Sequence, residues 1–111
     1  MIRIEAFIQP HRLNKTISAL HALPSFPGFT VFDAHGQGHG RGQGGHYAYG
    51  EDQGLLLHSR RVLVIYCNDH QADEIANIIV QAAHTGNSGD GIVVMSEVNA
   101  LLRVNKVGGT P

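Results

Sequence analysis

A two-layer α+β sandwich is the fold this sequence predicts. Its elements run β-α-β-β-α-β, giving one antiparallel sheet with both helices on one face, the ferredoxin-like arrangement. Three observations carry it. The chain opens on hydrophobicity of period two, two later segments repeat apolar residues at helical spacing, and an unbroken apolar run of strand length lies near the middle. Such elements bury their faces by layering helices on a sheet. With 111 residues, 42% of them hydrophobic, the chain fits a single domain spanning 1–111, with a real core that oligomerisation would supplement.

Each element has its own signal. Ile2, Ile4, Ala6 and Ile8 share one face, with Arg3, Glu5 and Gln9 on the other, and Pro10 ends this half-buried strand. Leu13, Ile17 and Leu20 recur at helical spacing, with Ala19 and Ala22 beside them, until Pro24 stops the helix. A turn at Pro27-Gly28 leads into a β-prone run from Phe29 to about His35. Arg61 to Cys67 reads as a buried strand. Asp69 is placed to cap a second helix, whose apolar stripe is Ile75, Ile78, Ile79, Ala82 and Ala83 and whose stop is Gly86. The strand "IVVM" and a tail containing Arg103 and Lys106 complete the chain.

Composition narrows the function. A net charge of −1 argues against a nucleic-acid binder, which shows a basic face. Charges inside the opening apolar stretch argue against a signal peptide, and no run approaches the roughly 18 apolar residues of a membrane span. The single cysteine, Cys67, lies in an apolar strand and suits a reducing compartment as a buried thiol. A cytoplasmic protein without membrane insertion is the expectation. No Ser/His/Asp, Cys/His or paired-carboxylate constellation stands out, so a non-enzymatic role is expected.

Two loops remain. From His35 to Gly54 there are eight glycines, and with His58 the region holds four of the eight histidines. Glycine at this density carries a large ordering entropy, so the segment is expected to order on binding. His35, His39 and His46 are candidate ligands for a divalent metal, but their spacing is irregular, and solvated histidines are the alternative. Gly40, Gly42 and Gly45 satisfy G-x-G-x-x-G by chance in so glycine-rich a stretch, with no helix following to hold a pyrophosphate. The second loop, "HTGNSGDG" from His84 to Gly91, can turn its successive N–H groups into an anion-binding nest, with Asp90 ordering the turn through hydrogen bonds of its own.

These features together resemble a PII-type signalling protein over nearly the whole chain. "IEAFIQPHRL" resembles that family's first strand and helix start, and "FTVFDAHGQG" its second strand and T-loop base. "AAHTGNSGDG" is very similar to its B-loop, and "VNALLRV" resembles the run into its C-loop. The resemblance implies a T-loop at about 36–58, a B-loop at about 84–91 and a C-terminal loop at about 103–111. It also implies a homotrimer with an adenine nucleotide in the clefts between subunits, and a T-loop that docks on a membrane transporter or an enzyme. Matched residue by residue, Gly36 and Gly38 fall at the T-loop base. Gly86, Gly89, Asp90 and Gly91 fall on the phosphate-binding turn, Arg103 on the first basic residue of the C-loop, and Thr30 beside the adenine. Arg41, Tyr47 and Tyr49 belong to the partner-binding loop.

The departures are chemical. Ile92 stands where the family has a lysine after "GDG", Asn105 where it has a second C-loop arginine, and Gln9 where nitrogen-signalling members have a lysine. Loss of cations weakens triphosphate binding most, because charge-assisted contacts are the strong ones. The sequence therefore points to ADP or AMP over ATP, or to a small anion such as bicarbonate, as effector. A metal-responsive accessory of a heavy-metal efflux system, using His35, His39 and His46, is the rival.

Overall fold

Alternation of apolar and polar residues makes β1 (Ile2–Ile8) a strand with one face for a core, and Ile4, Ala6 and Ile8 are buried on it. In the computed structural model, which describes residues 1–37 and 57–106, β1 lies inside a four-stranded sheet. After a 3₁₀ turn at Pro10–Arg12 come α1 (Leu13–His21), β2 (Thr30–Gly36), β3 (His58–Cys67), α2 (Asp69–Ala83) and β4 (Gly91–Glu97). The strand order is β2-β3-β1-β4 and every pairing is antiparallel, as the ferredoxin-like arrangement requires.

Both helices cover the face that carries Ile4, Ala6, Ile8, Leu63, Ile65 and Cys67. Leu20 from α1 and Ile75 and Ile79 from α2 fill the space between. The alanines at 72 and 83 let α2 approach the sheet closely. Cys67 is buried in this core and burial pushes its thiol up, so the expectation of an inert cysteine holds. Arg12 ties the layers together: its Nε and Nη2 donate to the Ala82 carbonyl at 3.2 and 2.7 Å, satisfying a carbonyl in the last turn of α2.

Three boundaries differ from the sequence expectation. Helix α1 stops at His21, before Pro24, and Ser25 takes a left-handed φ of 61° in the turn that follows. Asp69 does not cap α2. Asn68 holds the N-cap position without a side-chain bond, and the Asp69 carboxylate, one residue inside, pairs instead with the Met1 ammonium at 2.6 Å. Strand β3 begins at His58 rather than Arg61, because His58, Ser59 and Arg60 pair with Gly36, His35 and Ala34 as the second leg of a hairpin stem. Among the described residues, no helix is long and apolar enough to cross a membrane.

Candidate functional site at one end of the sheet

The topology gathers four chain segments at one end of the sheet. Ile8 is level with Arg61 on β3 and with Gly91 on β4, and Gly36 at the end of β2 is level with His58. The ends of β1 and β2, the starts of β3 and β4, and the loop between α2 and β4 therefore meet. Gly36 and His58 are the two feet of the long glycine-rich segment.

The loop at His84–Gly91 is built around one carboxylate. Asp90 accepts from the backbone N–H of Thr85 at 2.7 Å, from that of Gly86 at 2.9 Å, and from the Thr85 hydroxyl. The hydroxyl and amide of Thr85, foremost among these donors, hold the Asp90 carboxyl down at about 2. His84 Nδ1 lies 3.6 Å from the same carboxylate. The nest expected from successive amides is thus already filled, at Thr85 and Gly86, by the chain's own anion. Two glycines are structurally demanded. Gly86 has a φ of +92°, and Gly91 has a φ of +119° with the Phe7 carbonyl packed where a Cβ would stand.

Opposite this turn sits a cation that the sequence reading passed over. Arg60 Nη2 donates to the Gly89 carbonyl at 3.2 Å, and Gln9 Nε2 donates to the same oxygen at 2.7 Å. Arg60 Nη1 donates to the Ser59 carbonyl. Other strand arginines are spoken for: Arg3 pairs with Glu5 at 2.8 Å and Arg61 with Asp33 at 3.1 Å. Among the described residues Arg60 has no carboxylate partner, and it retains N–H donors beyond the two bonds to carbonyls. In "HSRRV" period two places Arg60 and Arg61 on opposite faces of β3, but nothing local in that stretch ties Arg60 to Gly89.

The remaining site residues are distributed. Gly36 lies at this end, with open space where a Cβ would project. Thr30, exposed at the other end of β2, is level with Val64. Ile92, the second residue of β4, is exposed and offers no charge. Arg103 follows the far end of β4, where Glu97 is level with Ile2, and is exposed in a turn closed by the Lys106 N–H to Arg103 carbonyl bond. His35 is exposed on β2, and among the described residues no group of three metal-ligating side chains exists. Gly38, Arg41, Tyr47, Tyr49, His39 and His46 lie outside the described residues.

Comparison with known proteins decides the family. The model of the family described as nitrogen regulatory protein P-II matches residues 1–106. The chain belongs to the nitrogen regulatory protein P-II family. It is 32% identical over 104 residues to the nitrogen regulatory protein P-II of Porphyra purpurea, covering 94% of this chain and 91% of that one. It is 33% identical over 104 residues to that of Azospirillum brasilense, at 94% and 91% coverage. To nitrogen regulatory protein P-II 2 of Methanothermobacter thermautotrophicus the identity is also 33%, at 94% and 89%. P-II proteins are regulatory signalling proteins.

Proposed function

We propose that this P-II family chain works as a homotrimer that binds the phosphate of an adenine nucleotide at the loop end of the sheet, between subunits. It would report occupancy through the segment 36–58 to a transporter or an enzyme. The observation that carries this reading is the convergence of Arg60 and Gln9 on the Gly89 carbonyl. An arginine that has no carboxylate partner among the described residues, held against a glycine turn, is a contact for an anion.

Signalling follows from connectivity. The Gly36–His58 pair closes the β-hairpin stem, and Arg60 is two residues from that closing pair. An anion drawing the Arg60 guanidinium away from Gly89 acts directly on one leg of the stem. Ligands that bind one stem arrangement better shift the population of whatever the loop presents. The apolar Ile92 at the start of β4 leaves one cation fewer for a γ-phosphate, so ADP or AMP is favoured over ATP. No side-chain constellation described here requires catalysis.

Calorimetric titration with ADP, AMP and ATP tests the reading. Wild type should bind ADP or AMP more tightly than ATP. Arg60→Gln should weaken that binding by roughly 10- to 100-fold, the equivalent of one charge-assisted hydrogen bond. Tight ATP binding that survives Arg60→Gln would overturn it.

A further inference from the structure

One carbonyl at the loop end of the sheet carries two donors of different kinds. Gly89 O accepts from Gln9 Nε2 at 2.7 Å and from Arg60 Nη2 at 3.2 Å, so both of its lone pairs are engaged. The first distance lies at the short end of the N–H···O range and the second at its upper limit, which makes the neutral amide the closer holder. Both side chains lie against the glycine itself. A Cβ at Gly89 would stand 3.3 Å from Gln9 Nε2 and 3.8 Å from Arg60 Nη2.

The two donors differ in anchorage and in charge. Gln9 follows β1 directly, Pro10 comes next, and the Gln9 carbonyl accepts the Arg12 N–H at 3.0 Å in the 3₁₀ turn, so its backbone is fixed outside the hairpin stem. Arg60 belongs to the stem, where it is level with Ala34. A guanidinium gains a charge-assisted bond from an arriving anion, and a neutral amide gains far less. The rest of the turn is held separately: Asp90 takes the amides of Thr85 and Gly86, and its own N–H donates to the Asn87 carbonyl at 3.2 Å. Gly89 has no side chain to fix the peptide that joins it to Asp90, so among the described residues that peptide is held at its carbonyl by Gln9 and Arg60 alone.

We propose that Gln9 is the positioning residue of this site: it keeps the Gly89 carbonyl bonded when an anion draws Arg60 away, so that binding moves the hairpin stem and leaves the turn in place. This rests on the anion-site reading of Arg60 above and adds how its release is made possible and given a direction. Without Gln9, a departing Arg60 strips a part-buried carbonyl of its last protein donor, and that cost opposes the ligand. With Gln9, the carbonyl keeps its shorter bond, and the displacement of Arg60 passes into β3.

Nuclear magnetic resonance on labelled wild type, Arg60→Met and Gln9→Met chains, with and without ADP, is the test. In ligand-free wild type the Gln9 side-chain amide should show coupling through its hydrogen bond to the Gly89 carbonyl. Arg60→Met, which imitates the released arginine, should retain that coupling. ADP should shift Arg60 and His58 in wild type while the coupling persists and the amides of Asn87 and Ser88 stay fixed. In Gln9→Met, ADP should bind roughly 3- to 10-fold more weakly, the equivalent of one neutral hydrogen bond, and should move Asn87 and Ser88 as well. Where Gln9→Met does not fold, the coupling in wild type and Arg60→Met decides alone. Loss of the coupling in Arg60→Met or at ADP saturation, or equal ADP affinity in wild type and folded Gln9→Met, would overturn the role of Gln9 and leave the anion site standing. A wild type in which ADP moves neither Arg60 nor His58 would overturn the anion reading and the role of Gln9 together.

Discussion

Replacing Gly91 by alanine should loosen the edge of the sheet that carries the His84–Gly91 turn. Two costs add at this residue. Its φ of +119° is one that L side chains rarely adopt, and such strain costs about 1–3 kcal/mol. A Cβ would also lie far inside contact distance of the Phe7 carbonyl oxygen, 2.9 Å from the Phe7 carbonyl carbon and 3.3 Å from Ile8 Cα. These neighbours are backbone of β1, the strand next to β4, so they cannot rotate away. Overpacking against an unyielding wall costs about 1–3 kcal/mol, and the two together come to about 2–6 kcal/mol. A domain of this size loses roughly 4 °C or more of melting temperature per kcal/mol, so Gly91→Ala should lower Tm by roughly 15 °C at the middle of that range. Gly86→Ala is the control: its φ is +92°, but a Cβ there meets nothing within 4 Å. It carries the strain alone, about 1–3 kcal/mol. Differential scanning calorimetry on both variants measures the difference. Equal losses would refute the argument that Phe7 demands a glycine at 91.

Three further outcomes follow from contacts elsewhere. Arg12→Met removes both bonds to the Ala82 carbonyl and should cost about 1–3 kcal/mol in chemical denaturation, with Arg12→Lys recovering part of it. Asp90 has its carboxyl lowered from 3.8 to about 2, so its hold on Thr85 and Gly86 is complete above pH 4 and lost as pH falls through about 2. The amide resonances of Thr85 and Gly86 should therefore stay fixed from neutral pH to about 4 and move with a midpoint near 2; a midpoint near 4 would contradict the bonding described. Cys67, with its thiol raised by burial, should resist alkylation in the native protein and react once denatured.

The fold was largely legible because hydrophobic period and strand length are local signals. Ile2 to Ile8 and the stripe from Ile75 to Ala83 announce their faces without reference to anything distant. What the sequence hid was set by partners remote in the chain. His58, Ser59 and Arg60 show no apolar alternation, and they become strand by pairing with Gly36, His35 and Ala34. Asp69 has the chemistry of a helix cap, yet a salt link to Met1, sixty-eight positions away, claims its carboxylate. Within the site, the glycines of the turn were visible as a motif. The cation facing them was not, because Arg60 and Gly89 are twenty-nine residues apart and meet through sheet pairing. The expectation that Asp90 orders the turn through hydrogen bonds of its own holds, since its carboxylate takes the amides of Thr85 and Gly86.

The central claim is that an adenine nucleotide is sensed where Arg60 and Gln9 meet Gly89. Backbone amide chemical shifts followed during an ADP titration test that most directly. Saturable shifts at Arg60, Gly89 and His58, lost in Arg60→Gln, are the predicted result. Shifts confined to residues away from this end of the sheet, or none with any adenine nucleotide, would contradict it.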